Sequence, residues 1–186
     1  MNNLMATYYL DIETTGLDPK KDKLITIQYQ ELDRNTAEPI GKLKILKEWE
    51  TSESEIIKKF IKDSKITDKY KFSFVPVGYN LWFEHNYIRE KCEQYALPKV
   101  DILDRPFIDI HTCAVIMNKG EFKNSGLDKM TKKPSSGKVI PLWYEKKEYD
   151  KIINYIEVET REFIRLTKWL YKELPEALTR FRRITK

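Results

Sequence analysis

A short apolar strand that ends in two carboxylates is the sequence feature that most limits how this chain can fold. Residues 8–12 have the sequence Tyr-Tyr-Leu-Asp-Ile, and Glu13 follows. Because side chains alternate between the two faces of a strand, Asp11 and Glu13 share one face while Leu10 and Ile12 point into the protein. Adjacent like charges disfavour each other's ionisation, and a hard cation such as Mg²⁺ or Mn²⁺ commonly lies between them. The strand is therefore predicted to bury its apolar face and to present a metal site on the other.

Length and composition predict one compact domain over residues 1–186. Hydrophobic residues make up 41% of the chain, which is ample for a core. No apolar run approaches the roughly 20 residues of a membrane helix, and the N-terminus lacks a signal-peptide pattern, so we expect a cytoplasmic protein without a membrane partner. The isolated Cys92 and Cys113 are expected to be buried, reduced thiols.

Positive charge is concentrated in two short segments. The net charge of +5 weakly indicates a polyanionic partner. One cluster lies in a loop and comprises Lys129, Lys132, Lys133 and Lys138. The other is C-terminal and comprises Arg180, Arg182, Arg183 and Lys186. We expect the loop cluster to contact a phosphodiester substrate, with solubility as the alternative role for both clusters.

Strands and helices are predicted to alternate along the chain. Period-two patterns bounded by turn residues predict strands over 6–12, 23–31, 42–48, 72–78 and 107–110. Helices are predicted after an N-cap at Ser52 or Ser54, from Trp82 to Ala96, and from about Lys146 to Leu174, with Pro175 ending the last one. This pattern alone predicts an α/β fold with a mixed sheet.

The segment from Asp11 to Pro19, with the sequence Asp-Ile-Glu-Thr-Thr-Gly-Leu-Asp-Pro, is more specific than its Asp-x-Glu triplet. It resembles the first signature of the DEDD superfamily of 3'-5' exonucleases, which includes polymerase proofreading domains. The alternative for Asp11 and Glu13 alone is a pair of solvated residues, since a chain with 29 acidic residues contains such triplets by chance. The resemblance implies an α/β ribonuclease H-like fold, with a mixed five-stranded sheet flanked by helices, and two further acids downstream.

The second acid is expected just beyond the predicted strand that ends at Gly78. There Asn80-Leu81-Trp82-Phe83-Glu84 is similar to the family's Asn-x-x-Phe-Asp signature, with Glu84 where Asp is usual. The alternative role for Glu84 is to stabilise the start of a helix, because an acid interacts favourably with that end of the helix dipole.

The third acid is expected on the late helix. Tyr155 and Glu159 are one turn apart and share a helix face. They resemble the Tyr-x-x-x-Asp signature of the tyrosine subtype, again with Glu in place of Asp. Residues 109–112 and 123–128 are similar to the segments that separate the second and third signatures. The resemblance spans residues 7–171.

The resemblance also implies a set of functional residues and ligands. The implied cofactors are two divalent cations, Mg²⁺ or Mn²⁺, and the implied partner is single-stranded nucleic acid or a frayed 3' end. The implied metal ligands are Asp11, Glu13, Glu84 and Glu159. The implied substrate contacts are Thr14, Leu17, Asn80, Trp82 and Phe83. Tyr155 is implied to position the attacking water, and Leu17 to act as an apolar wedge against a base.

Other roles are open for some of these aromatic and imidazole side chains. Core packing is the alternative for Phe83 and Trp82. His85 and His111 are expected to be hydrogen-bonded structural residues, with orientation of Glu84 as a second role for His85.

Three functions are open from the sequence. The first is a two-metal 3'-5' exonuclease, the second a nucleic-acid-binding module with weak or no catalysis, and the third a ribonuclease H-like endonuclease. Glutamate at positions 84 and 159 is longer and less firmly placed than aspartate, which favours the second. Retention of all four acids favours an enzyme, and retention of Leu17 and Tyr155 favours action at a 3' end.

Overall fold

Helices cover both faces of a central mixed sheet in the computed structural model, which describes residues 5–133 and 137–184. Its strands are β1 (Thr7–Thr14), β2 (Leu24–Leu32), β3 (Pro39–Lys47), β4 (Val75–Gly78) and β5 (Ile108–Asp109). Its helices are α1 (Glu53–Ser64), α2 (Trp82–Gln94), α3 (Ile110–Met117), α4 (Leu127–Met130), α5 (Ile140–Glu145) and α6 (Tyr149–Ile184). Short 3-10 turns lie at Glu48–Glu50, Lys71–Ser73 and Gly137–Val139. Lys186 of the terminal basic cluster lies outside the described residues.

The order of the strands places β1 at the centre of the sheet. The order is β3-β2-β1-β4-β5, so the sheet has five strands. Neighbours within the β1-β2-β3 meander are antiparallel, whereas β4 is parallel to β1 and β5 is parallel to β4. The expected mixed five-stranded sheet is confirmed. Because the carboxyl ends of β1, β4 and β5 lie at one edge, the residues that follow these strands are brought close together.

One face of β1 packs against α1 and α2. Leu10 and Ile12 belong to a buried cluster that also includes Ile57 and Phe60 of α1 and Ile88 of α2. Full burial of such a side chain contributes about 1.5–3 kcal/mol to folding. This packing fixes α2 against the sheet, and with it the residues of its first turn.

The opposite face of β1 packs against α6. The ring centroids of Tyr9 and Phe163 are 4.9 Å apart, and both side chains lie in a second buried cluster with Leu170. Tyr155, Glu159 and Phe163 are spaced by one helical turn, so they form one stripe that faces the sheet. This stripe brings α6 residues to the same face of β1 as Asp11 and Glu13.

Hydrogen bonds from backbone N–H groups to one carboxylate hold the junction between β4 and α2. The Asp109 carboxylate accepts hydrogen bonds from the backbone N–H groups of Asn80 (2.9 Å) and Leu81 (3.0 Å). Asn80 has φ +67°, a left-handed conformation that asparagine tolerates better than most residues. A Cβ at Gly78 would lie 2.4 Å from the Leu81 side chain and 3.0 Å from the Leu10 carbonyl oxygen. Glycine is therefore required where α2 approaches the end of β1.

The prediction that Pro175 ends the last helix is wrong, because α6 continues to Ile184. Proline has no N–H to donate to the carbonyl four residues earlier, which is costly in a buried helix. The carbonyl left without a donor is that of Tyr171, which is only half-buried, and residues 174–184 beyond it are exposed, so water can hydrogen-bond this carbonyl.

Other predicted boundaries also differ from the structure: β1 extends to Thr14, β3 begins at Pro39, and α6 begins at Tyr149. A 3-10 turn occupies the first part of the predicted 72–78 strand, and β4 begins only at Val75. The predicted 107–110 strand is reduced to two residues, because α3 begins at Ile110. The helix predicted to Ala96 ends at Gln94, and Ala96 itself has φ +50°.

We predict that Phe163→Ala lowers the free energy of unfolding by about 3–5 kcal/mol, the usual cost of removing a buried aromatic ring. Phe163 is 1% exposed, and the cavity left by its ring would open beside Tyr9. Ile184→Ala on the same helix is the control, because Ile184 is 84% exposed and its removal should change the free energy by less than about 0.5 kcal/mol. Urea unfolding of both variants measures the difference, and equal effects would contradict the assigned packing of α6.

Candidate active site

Three of the predicted acids meet where β1 passes α6. Asp11 and Glu13 project from β1, and Glu159 projects from α6 towards them. One carboxylate oxygen from each residue lies within 4.8 Å of the others. This separation suits a shared divalent cation, since such ions bind carboxylate oxygens at about 2.0–2.6 Å.

Glu84 lies beside this group, in the first turn of α2. Its side chain is buried, and burial together with the charge of Asp11 raises its pKa well above the usual value. Its Oε2 atom has no hydrogen-bond partner among the described residues. A buried carboxylate oxygen without a donor is costly, and a cation between Glu84 and Asp11 would satisfy it.

Burial and mutual repulsion raise the pKa values of the acids. Burial is the largest cause for Asp11, Glu13 and Glu159. For Glu13 the charges of Glu159 and Asp11 add to it, and for Glu159 burial and Asp11 raise the pKa to about 7. Positive charge is therefore needed if all of these groups are to be ionised at neutral pH.

Lys133 supplies part of that charge in the structure. Its ammonium forms an ion pair with Oε1 of Glu159, and its side chain is only 7% exposed. The same Nζ atom lies 4.6 Å from the centroid of the Tyr155 ring. The sequence predicted that this lysine belongs to a basic loop that contacts substrate, but gave no indication that it enters the acidic site.

Two further side chains hold Asp11 in place, although no motif in the sequence marks them. Gln28 Nε2 and Tyr9 Oη both donate to Asp11 Oδ2, at 2.9 and 3.1 Å. The Thr26 hydroxyl donates to the amide oxygen of Gln28 at 2.9 Å, which orients the amide. Gln28 pairs directly with Asp11 across the β1-β2 ladder. The alternation of Thr26, Gln28 and Gln30 with apolar residues along β2 was the available signal.

Tyr155 lies at the edge of the acid group, as its spacing from Glu159 predicted. Burial and the charges of Glu159 and Glu13 raise its pKa far above the usual value, so the phenol stays protonated. Its hydroxyl hydrogen-bonds Glu159. A Cβ at Gly137 would lie 3.4 Å from that hydroxyl and 4.0 Å from Glu13 Oε2, so Gly137 leaves room beside both groups.

Two cavities lie at the site, and Lys133 lines both. The first has a volume of about 310 Å³; its lining includes Asp11 and Glu159 together with Tyr79, Asn80, His111 and Asp128. The second has a volume of about 340 Å³ and is lined by Trp143, Asp150, Lys151, Asn154, Tyr155 and Val158. The acids are thus accessible from the first cavity, and the second reaches Tyr155 and Lys133 beside them.

The implied substrate residues differ in how accessible they are. Leu17 is 84% and Trp82 64% exposed, and Asn80 is also exposed. The Thr14 hydroxyl donates to the Gly16 carbonyl at 2.7 Å, which shapes the turn before Leu17. Phe83 is half-buried and packs against the core, with its ring centroid 5.3 Å from that of Tyr87. For Phe83 the contacts favour core packing, the alternative considered from the sequence.

Both histidines make structural contacts. His111 Nε2 is 2.8 Å from the Ser125 hydroxyl. His85 Nδ1 is 3.4 Å from Asp101 Oδ1 but has no hydrogen-bond partner among the described residues. The hydrogen bond expected at this nitrogen is therefore not formed, and the charged neighbour of His85 is Asp101 rather than Glu84. Burial lowers the pKa of His85.

A five-stranded mixed sheet with an acidic group at the end of its central strand is the architecture of ribonuclease H-like nucleases, which use divalent metal ions. The model of a family described as the RNase_H superfamily matches residues 8–171, and the chain belongs to this superfamily. No curated protein shows a significant match to the sequence.

Solved structures of exonuclease I from E. coli share the fold. A complex with a dT13 oligonucleotide has a TM-score of 0.59 and 13% identity, over 94% of this chain and 43% of that one. A zinc-bound complex with single-stranded DNA has a TM-score of 0.61 and 13% identity, over 92% and 41%. The chain spans less than half the length of these proteins, and identity at this level establishes the fold alone.

We predict that Mn²⁺ raises the melting temperature by binding only the folded protein. At about a hundredfold excess over Kd, ligand binding adds about 2.7 kcal/mol, which corresponds to roughly 5–10 °C for a domain of this size. Asp11→Asn should remove most of this shift. Asp18→Asn, which changes a partly exposed carboxylate paired with Lys21, should retain it. Thermal unfolding with and without Mn²⁺ measures both, and no shift in the unaltered protein would contradict a metal site.

Proposed function

We propose that this protein is a metal-dependent 3'-5' exonuclease that hydrolyses single-stranded DNA or RNA, or a frayed 3' end. The observation that carries the proposal is the convergence of the Asp11, Glu13 and Glu159 carboxylates at the end of the central strand of a nuclease-type fold. Tyr155 beside them supports assignment to the tyrosine subtype of DEDD exonucleases.

The donor set fits two divalent cations, Mg²⁺ or Mn²⁺. Asp11, Glu13 and Glu159 offer only carboxylate oxygens, the ligands that these hard ions prefer. The buried, unpartnered Oε2 of Glu84 offers a fourth. When bound, the cations would lower the pKa of the attacking water and stabilise charge on the leaving 3' oxygen.

The chain's own residues would orient the reactants. The protonated Tyr155 hydroxyl lies where it can donate to Glu159 and hold a water beside it. Gln28 and Tyr9 fix Asp11 by two hydrogen bonds. Such fixation matters, because misplacement of about 1 Å costs on the order of a hundredfold in rate.

The turn that carries Leu17 has the properties of a fixed wedge. The Tyr87 hydroxyl, from α2, donates to the Gly16 carbonyl at 3.1 Å. The Asp22 carboxylate accepts from the Asp18 backbone N–H at 2.9 Å. The backbone on both sides of Leu17 is therefore anchored while the Leu17 side chain stays exposed. This arrangement supports a contact between Leu17 and a terminal base, and the exposed Trp82 ring is suited to stacking on another.

We also propose that residues 1–186 form one nuclease domain in the cytoplasm. The family match over residues 8–171 and the packing of α1, α2 and α6 on one sheet support the single domain. Cys92 and Cys113 are free, as is usual in a reducing compartment. Among the helices that the structure describes, none has the length and apolar character that crossing a bilayer requires.

We predict that a 5'-labelled single strand, tested as DNA and as RNA with Mn²⁺, shortens one nucleotide at a time from its 3' end. A 3'-phosphate should slow the reaction by about tenfold or more, because the added charge approaches the acids and displaces the terminal sugar. Gel electrophoresis of timed samples measures both effects, with Glu159→Gln as the inactive control. Cleavage of a circular single strand would instead indicate an endonuclease, and strand binding without cleavage would indicate a binding module.

We predict that Tyr155→Phe lowers kcat by about a hundredfold, because the substitution removes the hydroxyl that orients the attacking water. Mn²⁺ affinity should change by less than about twofold, because carboxylates rather than the phenol are the proposed ligands. Tyr171→Phe is the matched control on α6, where burial alone raises the pKa of the phenol. A parallel loss of Mn²⁺ affinity in Tyr155→Phe would contradict the assigned role.

A further inference from the structure

Lys133 occupies an unusual position for a lysine. Its side chain is almost fully buried, although buried lysines are rare and require a partner. In the described part of the chain its ion-pair partner is Glu159, which is also a proposed metal ligand. The ammonium lies over the Tyr155 ring as well, at 4.6 Å from the centroid.

The ammonium and a divalent cation compete for the same carboxylate. Lys133 contacts Oε1 of Glu159, and its charge also opposes the rise in the pKa of Asp11 and Glu13. It therefore does in part what a metal ion would do for these acids. Two positive centres sharing one carboxylate repel each other, so metal binding at Glu159 weakens the contact with Lys133.

The backbone on the N-terminal side of Lys133 is anchored, so the side chain is the part that we expect to move. The Lys132 backbone N–H donates to Glu162 Oε2 on α6 at 3.0 Å. The Thr131 hydroxyl donates to the Leu127 carbonyl at 2.7 Å. The flexible four-carbon stem of lysine can change direction without movement of this backbone.

A phosphate is a suitable second partner for a released Lys133. This residue lines both cavities, the first beside the acids and the second beside Tyr155, so its ammonium can turn towards either one while it remains at the site. A nucleic-acid strand that enters these cavities brings phosphates, which are strong partners for a lysine ammonium.

We infer that Lys133 exchanges partners: it pairs with Glu159 in the metal-free protein and with a phosphate of the nucleic acid once metal is bound. This inference rests on the proposed function and adds a substrate-binding residue to it. Loss of the lysine charge then has opposite effects on the two ligands. The metal binds more tightly because a competitor is gone, and the strand binds more weakly because a phosphate contact is gone.

The test measures each ligand separately in the full chain. Mn²⁺ binding is measured by calorimetry without nucleic acid. Strand binding is measured by fluorescence anisotropy with a labelled phosphorothioate oligothymidylate, chosen to resist hydrolysis, at Mn²⁺ concentrations that saturate each variant. Lys133→Met removes the charge and keeps much of the apolar stem; Lys133→Gln removes the charge with a different shape. Lys58→Met is the control, since Lys58 is exposed, pairs with Glu55 and lies on α1, on the face of the sheet opposite the acids.

For both Lys133 variants we expect Mn²⁺ to bind about tenfold more tightly and the oligonucleotide about tenfold more weakly, whereas Lys58→Met changes each by less than about twofold. If the unaltered protein binds Mn²⁺ and the Lys133 variants do not bind it more tightly, this inference is overturned while the proposed function stands. Unchanged oligonucleotide binding also overturns the inference. Absence of Mn²⁺ binding in the unaltered protein overturns the proposed function together with the inference.

Discussion

Repulsion between buried carboxylates is the constraint on which the arrangement of the site depends. Asp11, Glu13, Glu84 and Glu159 lie on three different elements, and burial raises the pKa of each one. Without a compensating positive charge, buried carboxylates move apart or stay protonated. They remain together because the aromatic and aliphatic packing of α2 and α6 on the sheet holds their backbones. The free energy of the core thus offsets the cost of concentrating charge at one end of β1.

The neutral donors around Asp11 show how part of this cost is reduced without metal. Gln28 and Tyr9 both donate to one carboxylate oxygen, and Thr26 fixes the amide that does so. Hydrogen bonds to a carboxylate favour its ionised form. Asp11 is therefore better prepared for a cation than Glu84, whose Oε2 has no donor among the described residues. The Asp11 carboxylate is thus already oriented before a cation binds, whereas the Glu84 carboxylate would be oriented by the cation itself.

Local patterns in the sequence were sufficient for the features that depend on nearby residues. Strand alternation placed Asp11 and Glu13 on one face, and helical spacing placed Tyr155 with Glu159. The end of α6 was not predictable from Pro175, because a proline is tolerated where water can satisfy the freed carbonyl. Entry of Lys133 into the site was not predictable either, since it depends on how residues 131–133 pack against α6. The role of Gln28 depends on its register opposite Asp11, which becomes visible only once β1 and β2 are paired.

The distance in sequence between Asp11 and Glu159 has a consequence for biosynthesis. β1 is synthesised before α6, so Asp11 and Glu13 can meet Glu159 only after the intervening residues have been made. Contacts between residues so far apart form late and slowly, because the chain must first lose the entropy of a long loop. A growing chain therefore carries Asp11 and Glu13 without the third carboxylate. A chain that halts before α6 docks is unable to assemble the acidic centre, so the capacity to bind metal there arises only with the completed fold.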